Sequence, residues 1–409
     1  MSPAFILVVK LALRNVLRHR SRTMMTLTAI ILGVTALILA GGFIEDTVVE
    51  VGESLIHSQS GHLQIARKGA FDFGARQPEA YLFDAQDLVR KMVAMPQVAD
   101  VMRRTTLSAL LNNGKTDLAV IVEGIEPERE ARMGSYMTLA SGRQLNDNDR
   151  DGALLGYGVA RALNVNPGDV LTLVGNSAGG AINTIELRVI GVFHTFSNEY
   201  DARAVRIPIS AAQDMLGTTD YHTIVVSLRR TADTNRVARA LSKQVVAENL
   251  ELRTWVQLND FYESTVALYR QQFGTLILIV TGMVVLSVIN TVNMSTMERI
   301  GEFGTMRATG DHGYHVIQLI VLECTMLALI GASIGALTGI GAANLINLTG
   351  IPMPPPPNAD IGYTSFIRVT STVVAKGWLV GFVATLLAAI IPCWRASRIP
   401  IVDALRRVA

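Results

Sequence analysis

The sequence predicts a helical membrane protein with four transmembrane helices and a large extracytoplasmic α+β domain between helices 1 and 2. Half of the side chains are hydrophobic and only 17% are charged, whereas a soluble domain carries about 25% charge. The apolar excess is concentrated in four long stretches without charge, at residues 23–44, 271–297, 324–359 and 377–394, and the middle of the chain has the composition of a soluble domain.

Each of the four stretches is long enough to cross a bilayer, which takes roughly 20 apolar residues. We predict transmembrane helices at residues 23–45, 271–297, 314–348 and 376–394. The third predicted span begins before its uncharged stretch and therefore includes Glu323. The first follows basic residues and could be mistaken for a signal peptide, but its apolar core exceeds the usual length of about 7–15 residues.

Lysine and arginine cluster before the first predicted span and after the last one. They are Lys10, Arg14, Arg18, Arg20 and Arg22, and Arg395, Arg398, Arg406 and Arg407. Because such residues mark cytoplasmic flanks, we predict a multi-pass protein of the bacterial inner membrane with both termini cytoplasmic. Residues 1–22 would form an amphipathic cytoplasmic helix or a simple extension of the first span, and residues 395–409 a cytoplasmic tail.

The same topology places residues 46–270 and the loop at 349–375 in the periplasm. Residues 45–60 and 258–272 are predicted to be helical stalks that continue the first two spans. Between the stalks we predict strands at 117–124, 170–174 and 185–193 and a helix at 233–249. This mixed order indicates an α+β domain and not a doubly wound nucleotide-binding fold.

Several functional classes find no support in the composition. The net charge is +2 and there is no basic stripe, so we expect no nucleic-acid partner. The two cysteines lie in apolar stretches, and the outer histidines have no metal-ligand spacing, so no metal site is predicted. These histidines are His57, His62, His194 and His222. We predict no catalytic residues.

One short motif resembles the end of a nucleotide-binding loop. Gly114, Lys115 and Thr116 match its last positions, but Ala109 stands where the first glycine is required. The preceding asparagines instead predict a hairpin turn. We therefore expect no ATP hydrolysis by this chain alone.

The connection between the second and third spans, residues 298–313, predicts a short charged helix. Glu298 and Glu302 would share one face, Phe303, Met306 and Arg307 would offer apolar and cationic contacts, and Gly310 would end the helix. By itself this pattern is typical of a solvated loop helix as much as of a docking surface.

The third span carries a glycine stripe and one carboxylate. Gly331, Gly335 and Gly339 recur on one helix face, where small residues allow close packing, either within the chain or between two permeases. Glu323 is costly at membrane depth and predicts a structural partner, such as an arginine of the loop helix, in preference to a proton relay.

Four segments together resemble the permease family that includes the macrolide exporter MacB, the lipoprotein-releasing subunits LolC and LolE, and the cell-division protein FtsX. They are the start (ALRNVLR), the outer-domain stretches LNVNPGDV and VIGVF, the loop ERIGEFGTMRATG, and the C-terminal RIPIVDALR. The stretch GHLQI after the first helix resembles LolC and LolE most. Unlike MacB, the chain is expected to have no ATPase domain of its own.

The resemblance implies the permease subunit of a type VII, or mechanotransmission, ABC transporter, and not an enzyme. Two permeases, identical or paralogous, would sit on a dimer of cytoplasmic ABC ATPases that bind ATP and Mg, with a periplasmic adaptor or chaperone and membrane lipid as further partners. The substrate would be lipid-linked or hydrophobic, possible examples being lipoproteins. The residues implied in ATPase coupling are Glu298, Arg299, Gly301, Glu302, Phe303, Gly304, Met306, Arg307 and Gly310.

Four apolar residues at the outer membrane boundary are candidates for substrate entry. Phe43 and Ile44 end the first span, and Phe273 and Leu276 begin the second. The alternative is that they only anchor helix ends in lipid. Two other functions stay open: a regulator like FtsX, which transmits ATPase strokes without transport, and a membrane-anchored periplasmic enzyme, against which the lack of a catalytic constellation argues.

Overall fold

The computed structural model describes residues 20–73, 78–134, 136–195, 197–310, 313–354 and 362–397. The segment before Arg20 and most of the predicted tail lie outside these residues. The chain divides into two compact units, a helical unit and an outer unit. The helical unit contains Met1–Val48, Val266–Pro352 and Thr364–Ala409, and the outer unit contains Val49–Thr265 and Met353–Tyr363.

The described residues form twelve α-helices, of which four are long. In chain order they are α1 (Arg20–Leu55), α2 (Ala70–Phe73), α3 (Gln86–Val93), α4 (Pro127–Met133), α5 (Tyr157–Leu163), α6 (Asn198–Asp201), α7 (Ile209–Leu216), α8 (Thr234–Ala247), α9 (Asp260–Glu298), α10 (Ile300–Ala308), α11 (Gly313–Asn347) and α12 (Ser371–Ser397). A π-helical turn at Ile56–Ser60 follows α1, and short 3-10 turns lie at Pro78–Tyr81 and Thr231–Asp233.

The strands belong mainly to the outer unit. They are β1 (Leu63–Arg67), β2 (Val98–Asn112), β3 (Asp117–Ile125), β4 (Thr138–Gly142), β5 (Gly152–Gly156), β6 (Val170–Asn176), β7 (Ile182–His194), β8 (Ala204–Pro208), β9 (Thr223–Leu228), β10 (Leu250–Thr254), β11 (Ile351–Met353) and β12 (Tyr363–Ser365). The last two pair only with each other among the described residues.

Four helices are long and apolar enough to span a membrane, which supports the predicted class. They cover Thr23–Ser60, Tyr262–Glu298, Gly313–Asn347 and Ser371–Arg395. In the helical unit they share one apolar core, to which the first helix contributes Ile30, Val34 and Ile38 and the second Val288. The chain is therefore an integral membrane protein with its sheet domain between the first two spans.

The outer unit is built on one ten-stranded sheet. Its strands follow the order β10-β1-β9-β2-β3-β8-β5-β7-β4, and β6 pairs with both β2 and β7. This double pairing closes β2, β3, β8, β5, β7 and β6 into a ring, which we call the six-stranded ring. Strand β2 is long enough to join both halves, because its first part pairs with β9 and its second with β3.

Each half of the outer unit has its own apolar core. The core at the six-stranded ring includes Leu107, Val122 and Leu187, together with residues of α5 and α7. The core at β1 and β9 includes Leu63 and Ile224, together with residues of α3 and α8. Parallel pairs (β3 with β8, β5 with β7) and antiparallel pairs coexist, as expected for an α+β domain.

The local predictions for the outer unit agree with these elements. The predicted strands correspond to β3, β6 and β7, and the predicted helix to α8. Gly114, in the segment that resembled a nucleotide-binding loop, lies in the β2–β3 hairpin with φ of 86°. Asn113 Oδ1 accepts hydrogen bonds from the backbone N–H groups of Lys115 and Thr116, so the hairpin prediction is confirmed.

Candidate functional site

The candidate site is the short helix α10 between the second and third spans. Helix α9 ends at Glu298, and Arg299 leaves the helical conformation with φ of −100° and ψ of 10°. Helix α10 then begins at Ile300 and ends at Ala308. Gly310 has φ of 106°, which favours glycine and lets the chain turn towards α11.

Helix α10 has a buried face and an exposed face. Ile300, Phe303 and Gly304 are buried, and Phe303 belongs to the apolar core of the helical unit. On α10 the exposed residues Glu302, Thr305 and, at the end of the helix, Thr309 recur every three or four positions and therefore share one side. Glu298, the last residue of α9, is exposed as well. We call these four residues the acidic face.

This arrangement revises the sequence interpretation of Phe303. The sequence analysis offered Phe303 as an apolar contact for a partner, but only 4% of it is exposed. Met306 and Arg307 are half-buried, as is Gly301. The periodicity of a nine-residue helix does not by itself tell which apolar side faces the membrane core.

Arg299 holds the loop helix to the neighbouring spans. Its Nη1 lies 3.0 and 2.9 Å from the two carboxylate oxygens of Glu323 on α11, and its Nε donates to Glu302 at 2.9 Å. The guanidinium also lies 5.1 Å from the centre of the Phe303 ring. Glu323 thus has the arginine partner that its position in the third span predicted, and one buried cation orients both glutamates.

The glycine stripe of α11 contacts α1 of the same chain. A Cβ built on Gly331 would lie 2.8 Å from Ile30, one on Gly335 2.8 Å from Val34, and one on Gly339 3.2 Å from Ile38. The hydroxyl of Thr35 donates to Gly335 O at 3.1 Å. The sequence left open whether this stripe packs within the chain or against a second permease. In the structure these glycines pack against α1 of the same chain.

Two of the four candidate substrate-entry residues are in contact. The rings of Phe43 on α1 and Phe273 on α9 meet edge to face with centroids 6.0 Å apart. Ile44 is half-buried, and Leu276 is 42% exposed. The pair joins the first two helices of one chain, and the structure contains no second copy that would test the predicted position between facing subunits.

From the sequence, Asp46 is expected only to mark the water side of the first span, next to Phe43 and Ile44, but in the structure it is a buried carboxylate. It accepts hydrogen bonds from the backbone N–H of Phe366 at 2.7 Å and from the hydroxyl of Ser365, and Arg368 lies 3.4 Å away. Asp46 therefore fixes the segment before α12 against α1. A carboxylate inside the long helical stretch 45–60 was the available signal.

The four outer histidines are only partly brought together. The rings of His57 and His62 lie 5.7 Å apart, and His194 packs instead on Tyr157. His222 accepts a hydrogen bond from the backbone N–H of Thr106. Within the described ranges, no three His, Cys, Asp or Glu side chains are grouped so that they could hold a metal ion.

Comparison with known families identifies both parts of the chain. A family model described as the MacB-like periplasmic core domain matches residues 23–244. A second model, the FtsX-like permease C-terminal region, matches residues 274–401. The second match contains the loop helix α10 and the glycine stripe.

Several curated proteins are similar over most of the chain. An uncharacterized ABC transporter permease of Methanocaldococcus jannaschii is 24% identical over 83% of this chain and 84% of its own length. The lipoprotein-releasing system transmembrane protein LolE of Haemophilus influenzae is 23% identical over 64% of each chain. The macrolide export ATP-binding/permease protein MacB of Rhodopseudomonas palustris is 25% identical, and the match spans only 53% of its length.

Two solved structures of outer domains align with about half of this chain. The periplasmic region of MacB from Actinobacillus actinomycetemcomitans aligns with 53% of this chain and 98% of its own, at 16% identity and a TM-score of 0.38. The extracellular domain of the transporter YknZ from Gram-positive bacteria aligns with 47% of this chain, at 16% identity and a TM-score of 0.34.

Proposed function

We propose, on the premise that this chain belongs to the family of ABC transporter permeases with a MacB-like periplasmic core domain and an FtsX-like C-terminal region, that it couples ATP hydrolysis by a separate ATPase to movement of its outer unit. In this proposal the chain supplies no catalytic residues, and the partner ATPase binds ATP and Mg. Two permeases, identical or paralogous, bind two ATPases in the inner membrane.

The observation that carries the proposal is the acidic face of α10. Glu302, Thr305 and Thr309 are exposed along a helix whose opposite side is buried in the core of the helical unit, and Glu298 is exposed at the end of α9 just before it. Because the opposite side of the helix is packed in this core, a force that a partner protein applies to the exposed side would be transmitted to the spans. Because the face carries two carboxylates, we infer a cationic docking groove on the ATPase.

The ion pairs of Arg299 support the same proposal, because they make the connection between the loop helix and the third span rigid. It connects the loop helix to α11 through Glu323 and to the acidic face through Glu302. Force applied at Glu302 would therefore reach the third span through direct ion pairs and not through a flexible loop.

The proposed substrate is lipid-linked or strongly apolar and is taken from the outer leaflet or the periplasm. The support is the Phe43–Phe273 contact between the first two helices, together with the relative named as a lipoprotein-releasing protein. Acyl chains would lie against these aromatic side chains, and a periplasmic adaptor or chaperone would accept or deliver the substrate.

Co-purification tests the proposal. The tagged chain, extracted in mild detergent, should retain an ABC ATPase in about equal amounts, and ATP hydrolysis by that ATPase should depend on the permease. Mass spectrometry of the same sample should detect bound lipid or lipid-linked peptide. Isolation without any ATPase, under conditions in which the permease stays folded, would contradict the proposed function.

Cysteine labelling tests the proposed orientation, which has both termini and α10 in the cytoplasm. The native Cys324 and Cys393 are buried, so background labelling should be low. In intact cells a membrane-impermeant maleimide should label Asn176→Cys, in the outer unit, and spare Thr305→Cys, on the acidic face. The reverse pattern would invert the topology.

A further inference from the structure

Helix α1 ends in the outer unit, where a short turn of different helical geometry follows it. After Leu55 the chain forms the π-helical turn Ile56–Ser60, and Gly61, with φ of 63°, then leads into β1. The last carbonyl groups of a helix have no partner within the helix and must be satisfied by other groups. Here two buried arginines satisfy successive carbonyls of the turn.

The first of these arginines is Arg104 on β2. Its Nη1 donates to Gln59 O at 2.7 Å, and its Nη2 donates to Glu130 Oε1 at 2.7 Å. Arg104 is 4% exposed and Glu130 is 3% exposed. Glu130 Oε2 accepts no hydrogen bond from the described residues. The ion pair therefore stabilises its own two charges less than it could, because one of the two carboxylate oxygens has no donor among these residues.

The second is Arg206 on β8, whose side chain is among the most buried in the protein. Its Nη2 donates to Ser58 O at 2.9 Å and its Nε to Glu123 Oε2 at 3.2 Å. Tyr200 donates its hydroxyl to the same carboxylate oxygen at 2.6 Å. Burial alone would raise the pKa of the Glu123 carboxyl, but Arg104, Arg206 and Tyr200 hold this pKa below its ordinary value, so Glu123 stays charged.

Burying two arginine–glutamate pairs is costly, and well-packed apolar residues often stabilise a core as well or better. The pairs nevertheless do something that apolar residues cannot, because each guanidinium has a donor left over for a carbonyl of the turn. Arg206 lies on β8 within the six-stranded ring, and Arg104 is the last residue of β2 that pairs with β9 before β2 pairs with β3 from Thr105 onwards. The two donors therefore reach the turn from the strands on either side of β3. The negative end of the helix dipole also favours cations at this place.

We propose that Arg104 and Arg206 are positioning residues that clamp the end of the first helix to the six-stranded ring, so that the ring follows when this helix moves. The inference rests on the proposed function for its purpose, but the clamp itself can be measured without any ATPase. Nothing in the sequence pattern assigned a role to either arginine.

A double variant separates positioning from stability. Arg104→Met combined with Glu130→Met removes both charges together and keeps similar volume, so the outer unit should stay folded, while Gln59 O loses its donor. The matched control is Arg143→Met with Asp149→Met, which removes an ion pair of the same unit without contact to the turn. Thermal unfolding of the full-length chain should confirm that both variants fold.

The first measurement is the distance between spin labels at Val49→Cys, on the last turns of α1, and Asp214→Cys, an exposed position on α7, which packs in the core of the six-stranded ring, in the full chain in nanodiscs. The parent and the control should show one narrow distance distribution, and the Arg104/Glu130 variant a broad one. If that variant does not fold, Arg104→Lys, which cannot reach both partners as a planar fork does, should broaden the distribution. A narrow distribution in a folded variant that lacks the donor would overturn the clamp.

The second measurement uses the complex with the ATPase, with one label at Asp214→Cys in each permease. Addition of ATP should change the label distance in the parent and the control. In the Arg104/Glu130 variant this change should be lost while ATP hydrolysis continues, a result that a purely structural role would not produce. Failure of all three proteins to respond to ATP would count against the proposed function; an unchanged response in the variant would count against the clamp.

Discussion

Glu302→Lys is expected to leave the chain folded in the membrane but to abolish most of the ATPase activity that depends on it. Glu302 lies at the centre of the acidic face, and its side chain is half exposed. A lysine there would face the cationic groove that we infer on the ATPase, and like charges across an interface cost on the order of several kcal/mol. Since ~1.4 kcal/mol is a factor of about ten, affinity should fall at least tenfold.

The control for this variant is Glu45→Lys, which reverses an exposed carboxylate on α1, away from the loop helix. It should keep normal ATPase stimulation in the purified complex. Glu302 also accepts a hydrogen bond from Arg299, so Glu302→Gln is needed to separate loss of charge from loss of the acceptor, and it should show an intermediate effect. If Glu302→Lys behaves like Glu45→Lys, the acidic face is not the docking surface.

Gly335→Leu is expected to disrupt packing of the third span against the first. Even the Cβ of a larger residue would lie 2.8 Å from Val34 Cβ and 3.1 Å from Ile31 O, and backbone atoms cannot move aside cheaply. Overpacking of this kind typically costs about 1–3 kcal/mol and occasionally more. The yield of monodisperse protein and its apparent melting temperature in detergent should both fall.

Gly341 on the same helix supplies a matched control, because no atom lies within 4 Å of a Cβ built there. Gly341→Leu should therefore keep the parent melting temperature. Within the stripe, Gly339→Ala should be milder than Gly335→Ala, since its nearest contact would be 3.2 Å. Equal tolerance at Gly335 and Gly341 would show that the close contact with α1 is not what stabilises the helical unit.

The elements that leave a strong local pattern in the sequence could be predicted from it. Long uncharged stretches correspond to the four spans because the bilayer demands both length and apolarity. Glu323 could be assigned an arginine partner because an isolated carboxylate at membrane depth is costly. The glycines of the third span indicated close packing, although the sequence alone left their partner open between α1 and a second permease.

The buried arginines could not be predicted in the same way. Arg206 occupies the centre of a five-residue strand in which every residue is buried. The usual alternation of buried and exposed side chains along a strand therefore does not mark Arg206 as inward-facing. Arg104 adjoins Arg103, which is exposed, and only the three-dimensional pairing shows which of the two faces the turn. Their partners Ser58 and Gln59 are more than 40 positions away along the chain, and no local pattern connects such residues. An arginine between two apolar residues of a short strand was the one available hint.

The order of the strands has a consequence for biosynthesis. Strand β1 follows the first helix directly but pairs with β9 and β10, and Leu63 finds its partner at Thr254, close to the start of the second helix. Contacts this distant in sequence form late, because the intervening chain must first lose its freedom. During synthesis, nearly all of the outer unit must emerge before β1 can be completed. Its unpaired edge is exposed to aggregation until then, and we expect refolding of this unit to be slow and to require β10.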